Sequence, residues 1–234
     1  MQHFWVVGTD TDVGKTVVTT LLMRQLQQQD LQVTPYKPVQ TGEIHDNGHC
    51  YYYDTTMYEK YSLQRLQEEN INGSSFKEAA SPHFAAQLEG QEINVRHLLK
   101  QIEKLQKSND IVICEGAGGL FVPLDADGEI TLLDVIVQSN LPVVLVTRTT
   151  LGTINHTLLT LEALHARNIG VLGIVFNGNT GSLIEQDNVK TILQYHDLPY
   201  ATIPQLQDIS QLMDYSISHT SLFERLVKYE TSIN

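Results

Sequence analysis

The stretch GTDTDVGKT, Gly8 to Thr16, decides how this chain is read. A short apolar run, HFWVVG from His3, leads into it, and an amphipathic stretch reaching residue 29 follows it. Strand, glycine-bearing loop, GKT and helix form the context of a phosphate-binding loop. Amides from Asp12 to Thr16 can point at a phosphate, and the helix N-terminus adds partial positive charge. Lys15 can neutralise β- and γ-phosphates there, and Thr16 can offer its hydroxyl to Mg²⁺. Gly14 leaves room for a phosphate to approach the backbone. Two features are unusual. The common pattern has a glycine at the position of Thr9, whereas this chain has it at Gly8. Asp10 and Asp12 also stand in a loop meant for anions. They must face Mg²⁺, a cationic ligand group or solvent, unless Asp12 caps the helix.

Beyond the loop, short β-branched runs alternate with longer amphipathic stretches. The pattern predicts strands at 4–8, 32–36, 111–115, 142–147, 171–177 and 200–203. It predicts helices at 15–29, 95–107, 132–138, 154–168, 183–196 and 222–228. Runs such as PVVLV, residues 142–146, read as strands buried on both faces. Alternation of this kind implies right-handed βαβ units and a mostly parallel sheet with helices on both faces. We therefore expect an α/β fold of the phosphate-loop NTPase type, one domain over residues 1–234, with its ligand crevice beyond the carboxyl ends of the strands. Residues 41–82 break the rhythm with polar and aromatic sequence and predict only helical pieces near 52–61.

The chain carries 15 Lys and Arg against 27 Asp and Glu, a net charge of −12. That argues against a nucleic-acid surface or an anionic membrane, and requires positive elements to be concentrated wherever an anion binds. Cys50 and Cys114 give no disulfide framework, and no leader-like segment opens the chain; both features suit a reducing cytoplasm. HDNGHC, His45 to Cys50, holds metal-ligand residue types. Gly48 spoils a helical face and no second cluster completes a tetrahedral site, so it reads as solvated loop. Tyr51, Tyr52 and Tyr53 read as packing residues, and QLQQQ, residues 25–29, as a polar helix face.

The loop GTDTDVGKT resembles the fingerprint of the dethiobiotin synthetases, which reads G-T-D-T-x-V-G-K-T. The resemblance continues in YKPVQTG (Tyr36 to Gly42), SPH (Ser81 to His83), CEGAGG (Cys114 to Gly119), LGTIN (Leu151 to Asn155), FNGN and IPQL, in order, from residue 8 to about 208. It implies an ATP-dependent ring closure in biotin synthesis. The substrate 7,8-diaminononanoate takes up CO₂ as a carbamate, the carbamate attacks the γ-phosphate of ATP, and the second amine displaces phosphate to give dethiobiotin. It implies a homodimer, with the substrate's carboxylate tail received across the interface.

The same resemblance implies roles for particular residues. Lys37 and Lys15 are the catalytic cations, with Lys37 contacting carbamate and γ-phosphate. It is expected just after a strand, its exit fixed by Pro38, as an electrostatic stabiliser. Thr16, Asp54 and Glu115 would hold Mg²⁺; Glu115 ends the apolar run IVIC, as the second acidic motif of such an enzyme does. ATP contacts are implied for Asp12, Val13, Gly14, Lys15, Thr16, Val17, Asp54, Glu115, Gly116, Ala117 and Gly118. Asn177, Pro204, Gln205, Leu206 and Asp208 map onto the base-binding part. Substrate contacts are implied for Thr11, Lys37, Thr41, Ser81, Gly118, Gly152, Thr153, Ile154 and Asn155. Asp12 and Asp208 stand where the family often has Glu.

Two other readings share the loop. A partition- or targeting-type ATPase would act as a nucleotide-driven dimer switch, but those proteins carry an extra lysine where this chain has Asp10. The synthetase half of a cobalamin-pathway amidotransferase would need a glutaminase domain that this length does not accommodate.

Overall fold

The computed structural model describes residues 2–228. Its strands are β1 (Phe4–Gly8), β2 (Val33–Thr41), β3 (Ile44–Asp46), β4 (His49–Tyr51), β5 (Asn72–Phe76), β6 (Ile111–Glu115), β7 (Val143–Thr147), β8 (Val171–Asn179) and β9 (Tyr200–Pro204). Its helices are α1 (Lys15–Gln27), α2 (Tyr53–Tyr61), α3 (Glu68–Ile71), α4 (Pro82–Leu88), α5 (Val95–Gln106), α6 (Leu132–Ser139), α7 (Thr153–Ala166), α8 (Leu183–Tyr195) and α9 (Ser221–Lys228), with a 3₁₀ turn at Ile209–Met213. Seven strands form one sheet in the order β5-β2-β6-β1-β7-β8-β9, and every adjacent pair is parallel. The short strands β3 and β4 pair separately as an antiparallel hairpin.

Strands β1, β6 and β7 are buried at all five positions. Alternate residues feed two cores, because successive side chains leave a strand on opposite faces. Trp5, Val7, Val112, Cys114, Val143 and Leu145 meet α4 to α8, while Phe4, Val6, Ile111, Ile113, Val144 and Val146 meet α1, Tyr58 of α2 and α9. Among the described residues no helix is long and apolar enough to cross a membrane.

The structure departs from the sequence pattern chiefly between β2 and α5. The strand expected to end at residue 36 runs on to Thr41, so Lys37 lies inside β2, paired in register with Asn72, rather than just after it. Its partner β5 has the sequence Asn-Gly-Ser-Ser-Phe, whose composition reads as turn rather than strand. The reason for the glycine is close approach: a Cβ on Gly73 would fall 2.2 Å from the Pro38 carbonyl oxygen. The run QLQQQ is not simply a polar face either. Gln25 is buried, donating to Tyr215 O and accepting from Ile217 N, and buried Gln27 donates to Val33 O and accepts from Leu63 N.

A carboxylate clamp fixes the loop that follows β7. Glu185, in the first turn of α8, closes a capping box with Ser182 and accepts hydrogen bonds from the Thr149 hydroxyl and from both the N–H and hydroxyl of Thr180. Asn188, one turn on, donates to Thr149 O. The Thr180 hydroxyl first, then Thr149 and the backbone donors, outweigh burial and hold the Glu185 carboxyl at about 2. Its folded value is depressed, so its contribution is complete above the ordinary carboxylate range and is lost as pH falls toward 2. Glu185→Ala should therefore lower unfolding free energy by about 2–3 kcal/mol near neutral pH. The difference from the parent should shrink below pH about 4.5 in denaturant titrations.

Candidate active site

The phosphate loop leaves β1 at the carboxyl edge of the central strand and turns into α1. Gly14 stands at the helix N-cap with φ 92° and no side chain caps the turn. Asp12 is not the cap; it is exposed, with φ 56°. Gly14 is also required by packing: a Cβ there would fall 2.0 Å from Asn177 Nδ2, the atom that donates to Val13 O. The neighbour that demands a glycine is thus a protein side chain, in addition to any ligand. Asp10 turns outward. Its carboxylate accepts from Thr11 N at 2.7 Å and lies 3.8 Å from the Arg148 guanidinium, which itself donates to Thr11 O. Lys15 folds back to donate to Asp10 O at 2.8 Å.

Beside the loop, α1, β2, α2 and β6 bring five polar side chains to one point. Lys37 Nζ lies 2.7 Å from both Asp54 Oδ2 and Glu115 Oε1 and donates to Gly116 O. Thr16 Oγ1 lies 2.5 Å from Asp54 Oδ1 and 2.8 Å from Glu115 Oε1. Tyr58 donates to Glu115 Oε2 at 2.5 Å. Burial alone would pull the Lys37 ammonium down, but Glu115 and Asp54 outweigh it and hold its pKa above the lysine range. Burial likewise opposes ionisation of Asp54, and Lys37 reverses that, keeping the carboxyl low. Lys15 goes the other way: burial first, then the neighbouring Lys37 charge, lower it to about 8. Burial, followed by Glu115, pushes the Tyr58 phenol well up, so it is a fixed donor.

Two carboxylates and a hydroxyl converge as hard oxygen donors, the set Mg²⁺ prefers. Thr16 has one proton for two carboxylate neighbours, and the Lys37 ammonium already bridges both acids. The residues therefore fit a divalent cation, with Thr16, Asp54 and Glu115 as the groups that could hold it.

These side chains floor a cleft of about 480 Å³ that also takes in Thr11, Asp12, Gly14, Val17, Thr41, Ala117 and Gly118. Gln40, Gly42, Tyr52 and Tyr53, given no site role in the sequence, line it as well. The two tyrosines thus face the cleft rather than serving only as packing. Gly116 sits behind the lining, its N–H bonded to Val6 O. Val13 is buried beneath the loop. Asn177, Pro204, Gln205, Leu206 and Asp208 do not line this cleft. Asn177 rests on the loop, Gln205 N bonds to Asn179 O, and Asp208 caps the 3₁₀ turn through Ser210 N. Ser81 is the N-cap residue of α4, outside the cleft lining. Gly152, Thr153, Ile154 and Asn155 open α7 and are also absent from it; Thr153 is turned inward, bonded to Arg148 O and Thr147.

Sequence reasoning missed Tyr58 and Arg148. Tyr58 lay in the irregular region and pairs with Glu115 only through the fold. Arg148 had a readable signal, a cation directly after β7, where ligands of such sheets gather.

Residues 2–212 match the family described as an AAA domain. An ATP-dependent dethiobiotin synthetase BioD from Lysinibacillus sphaericus is 72% identical over 234 residues, 100% of each chain. Among solved structures, the septum site-determining protein MinD from Pyrococcus horikoshii OT3, complexed with Mg-ADP, matches with a TM-score of 0.56 at 19% identity, over 88% of this chain and 82% of that one. A cobyrinic acid a,c-diamide synthase from Mycobacterium smegmatis with bound ADP and magnesium matches at 0.55 and 13% identity, over 97% and 96%. The two structural likenesses show the fold alone.

Removing the Tyr58 hydroxyl leaves one oxygen of a buried carboxylate without its donor. Tyr58→Phe should lower unfolding free energy by about 1.5–3 kcal/mol, the range for hydrogen bonds to charged groups. An unchanged midpoint in urea titration would mean that Glu115 does not depend on this bond.

Proposed function

The chain belongs to the ATP-dependent dethiobiotin synthetases, ligases of biotin biosynthesis, and from that premise we propose how its cleft divides the work. The amides from Asp12 to Val17, with Lys15, hold the nucleotide phosphates at the start of α1, and Ala117 and Gly118 offer further backbone to the same ligand, whereas the N–H and carbonyl of Gly116 are already bonded within the protein. Asn177, Pro204, Gln205, Leu206 and Asp208 meet the base. Thr16, Asp54 and Glu115 would hold Mg²⁺, which would supply positive charge against the nucleotide phosphates. Lys37 is the catalytic cation. Its charge is secured by two carboxylates, yet its ammonium faces the cleft, where it can stabilise the charge shared between a carbamate and the terminal phosphoryl group of ATP. Lys15 supplies the second cation from the phosphate side. Thr11, Thr41 and Gly118, which line the cleft, serve the diamine end of 7,8-diaminononanoate, which reacts with CO₂.

The observation that carries this reading is the meeting of Thr16, Lys37, Asp54 and Glu115 at the first turn of α1. A reaction that joins two anions needs cations held in place before they arrive. The MinD-like fold alone would also suit a nucleotide-driven switch. In this chain, though, Asp10 stands where such switches carry lysine, and it is engaged with Arg148.

A homodimer completes the substrate site in this reading. Gly152, Thr153, Ile154 and Asn155 sit outside their own cleft, beside Leu151, which is 91% exposed. Phe121, 63% exposed, and Leu159 line an apolar cleft of about 760 Å³ nearby. A second copy would cover these side chains and bring its 152–155 segment to the substrate's carboxylate tail. Both cysteines are free thiols, which supports a reducing cytoplasm as the location.

Dethiobiotin formation from the diamine, bicarbonate and Mg-ATP, read by mass spectrometry, tests the reaction. Lys37→Ala should bind ATP as the parent does and lose about 10²-fold or more of turnover; equal turnover would remove Lys37 from its role. Phe121→Asp should give monomers by sedimentation that still bind ATP but no longer form dethiobiotin. A dimeric, active variant would refute the shared site.

A further inference from the structure

The segment from His45 to Cys50, read from sequence as solvated loop, folds into the β3-β4 hairpin. Strand pairing then does what a helix could not. The register sets His45 directly opposite Cys50, and Glu43, just before β3, reaches His45 with its carboxylate. Their donor atoms all lie within 4.8 Å of one another. Cys50 Sγ is 3.1 Å from His45 Nδ1, and His45 Nε2 is 3.1 Å from Glu43 Oε2. The root of the hairpin is anchored. Glu43 N donates to Lys77 O at 2.8 Å, and Gly42 N donates to the carbonyls of Phe76 and Glu78. The Glu43 side chain is only 15% exposed, whereas His45 is 68% exposed, so a fixed carboxylate holds a solvent-facing imidazole.

We propose that Cys50, His45 and Glu43 form a binding site for a borderline-soft divalent cation of the Zn²⁺ class. The Cys50 thiolate and His45 Nδ1 are the ligands, the Glu43 carboxylate holds the Nε2–H, and water fills the remaining positions. Bonds of ordinary length from a tetrahedral ion to one sulfur and one nitrogen set those two atoms about 3.5 Å apart, within a few tenths of an ångström of the spacing here. A carboxylate on the far nitrogen fixes the tautomer that leaves Nδ1 free to ligate. Thiolate and imidazole select against Mg²⁺, which prefers oxygen. The hairpin therefore sorts a different metal from the all-oxygen group of the cleft. The two sites are also close along the chain, since the hairpin leaves β2 at Thr41 and Gly42 and returns at Tyr52, all three of which line that cleft.

The test is a Co²⁺ titration of the full chain, stripped of metal and kept reduced, in excess Mg²⁺. The expected result is a thiolate-to-cobalt charge-transfer band that saturates at one ion per chain and is displaced by Zn²⁺. Cys50→Ser should abolish the band, with its thermal unfolding unchanged as the folding control, and Cys114→Ser should keep it. Glu43→Gln should keep the band but weaken Co²⁺ binding by about 10–100-fold. Absence of the band in the parent, its persistence in Cys50→Ser, or unchanged affinity in Glu43→Gln would overturn the proposal.

Discussion

The carboxylate of Glu115 is the constraint on which the rest of the site depends. It ends a central strand and is 1% exposed. An isolated charge at such a position costs several kcal/mol in lost hydration, so the fold must bring its partners to it. Lys37 arrives from β2, Thr16 from α1 and Tyr58 from α2. Each partner belongs to a different element, and satisfying one carboxylate therefore fixes the relative positions of four. Asp54 completes the group and shares the Lys37 charge, so the ammonium is balanced before any ligand enters. The cluster is at once a structural knot and a preformed set of charges.

The same logic settles the aspartates of the phosphate loop. An anion-binding turn tolerates acidic side chains provided that they point away and the backbone does the binding. Asp10 is turned toward Arg148 and spends its oxygen on the Thr11 N–H, while its carbonyl receives Lys15. Asp12 is exposed, in the left-handed conformation. Lys15, Lys37 and Arg148 thus gather at one edge of a chain whose net charge is −12. An anionic ligand meets local attraction within a repulsive whole, and long-range steering of the opposite sign is screened within about 10 Å at ordinary salt.

Local structure decides which donor atoms gather at each of two places. Hard oxygens meet where helix, sheet and loop converge, and a thiol meets an imidazole where two short strands pair. In the first case residues distant in sequence are joined by the sheet; in the second, residues a few positions apart are joined by strand register.

Sequence alone determined the alternation of strands and helices, the phosphate loop and the identity of its lysine and threonine, because these depend on local periodicity and on contiguous residues. GTDTDVGKT, IVICE and PVVLV are each readable in isolation. The helices at 15, 95, 132, 154, 183 and 222 were legible to within a residue or two at their starts, since one buried face imposes a period. Only the tertiary structure decided the rest. The Asn-Gly-Ser-Ser-Phe stretch became an edge strand because β2 was there to pair with it and Gly73 let Pro38 approach. Gln25 and Gln27, polar by composition, were buried because distant backbone groups needed their amides. Tyr58 became a partner of Glu115, and Cys50 a neighbour of His45, through packing and register that no local pattern records. Periodicity states which side of an element is buried; it does not state which residue of another element it will meet.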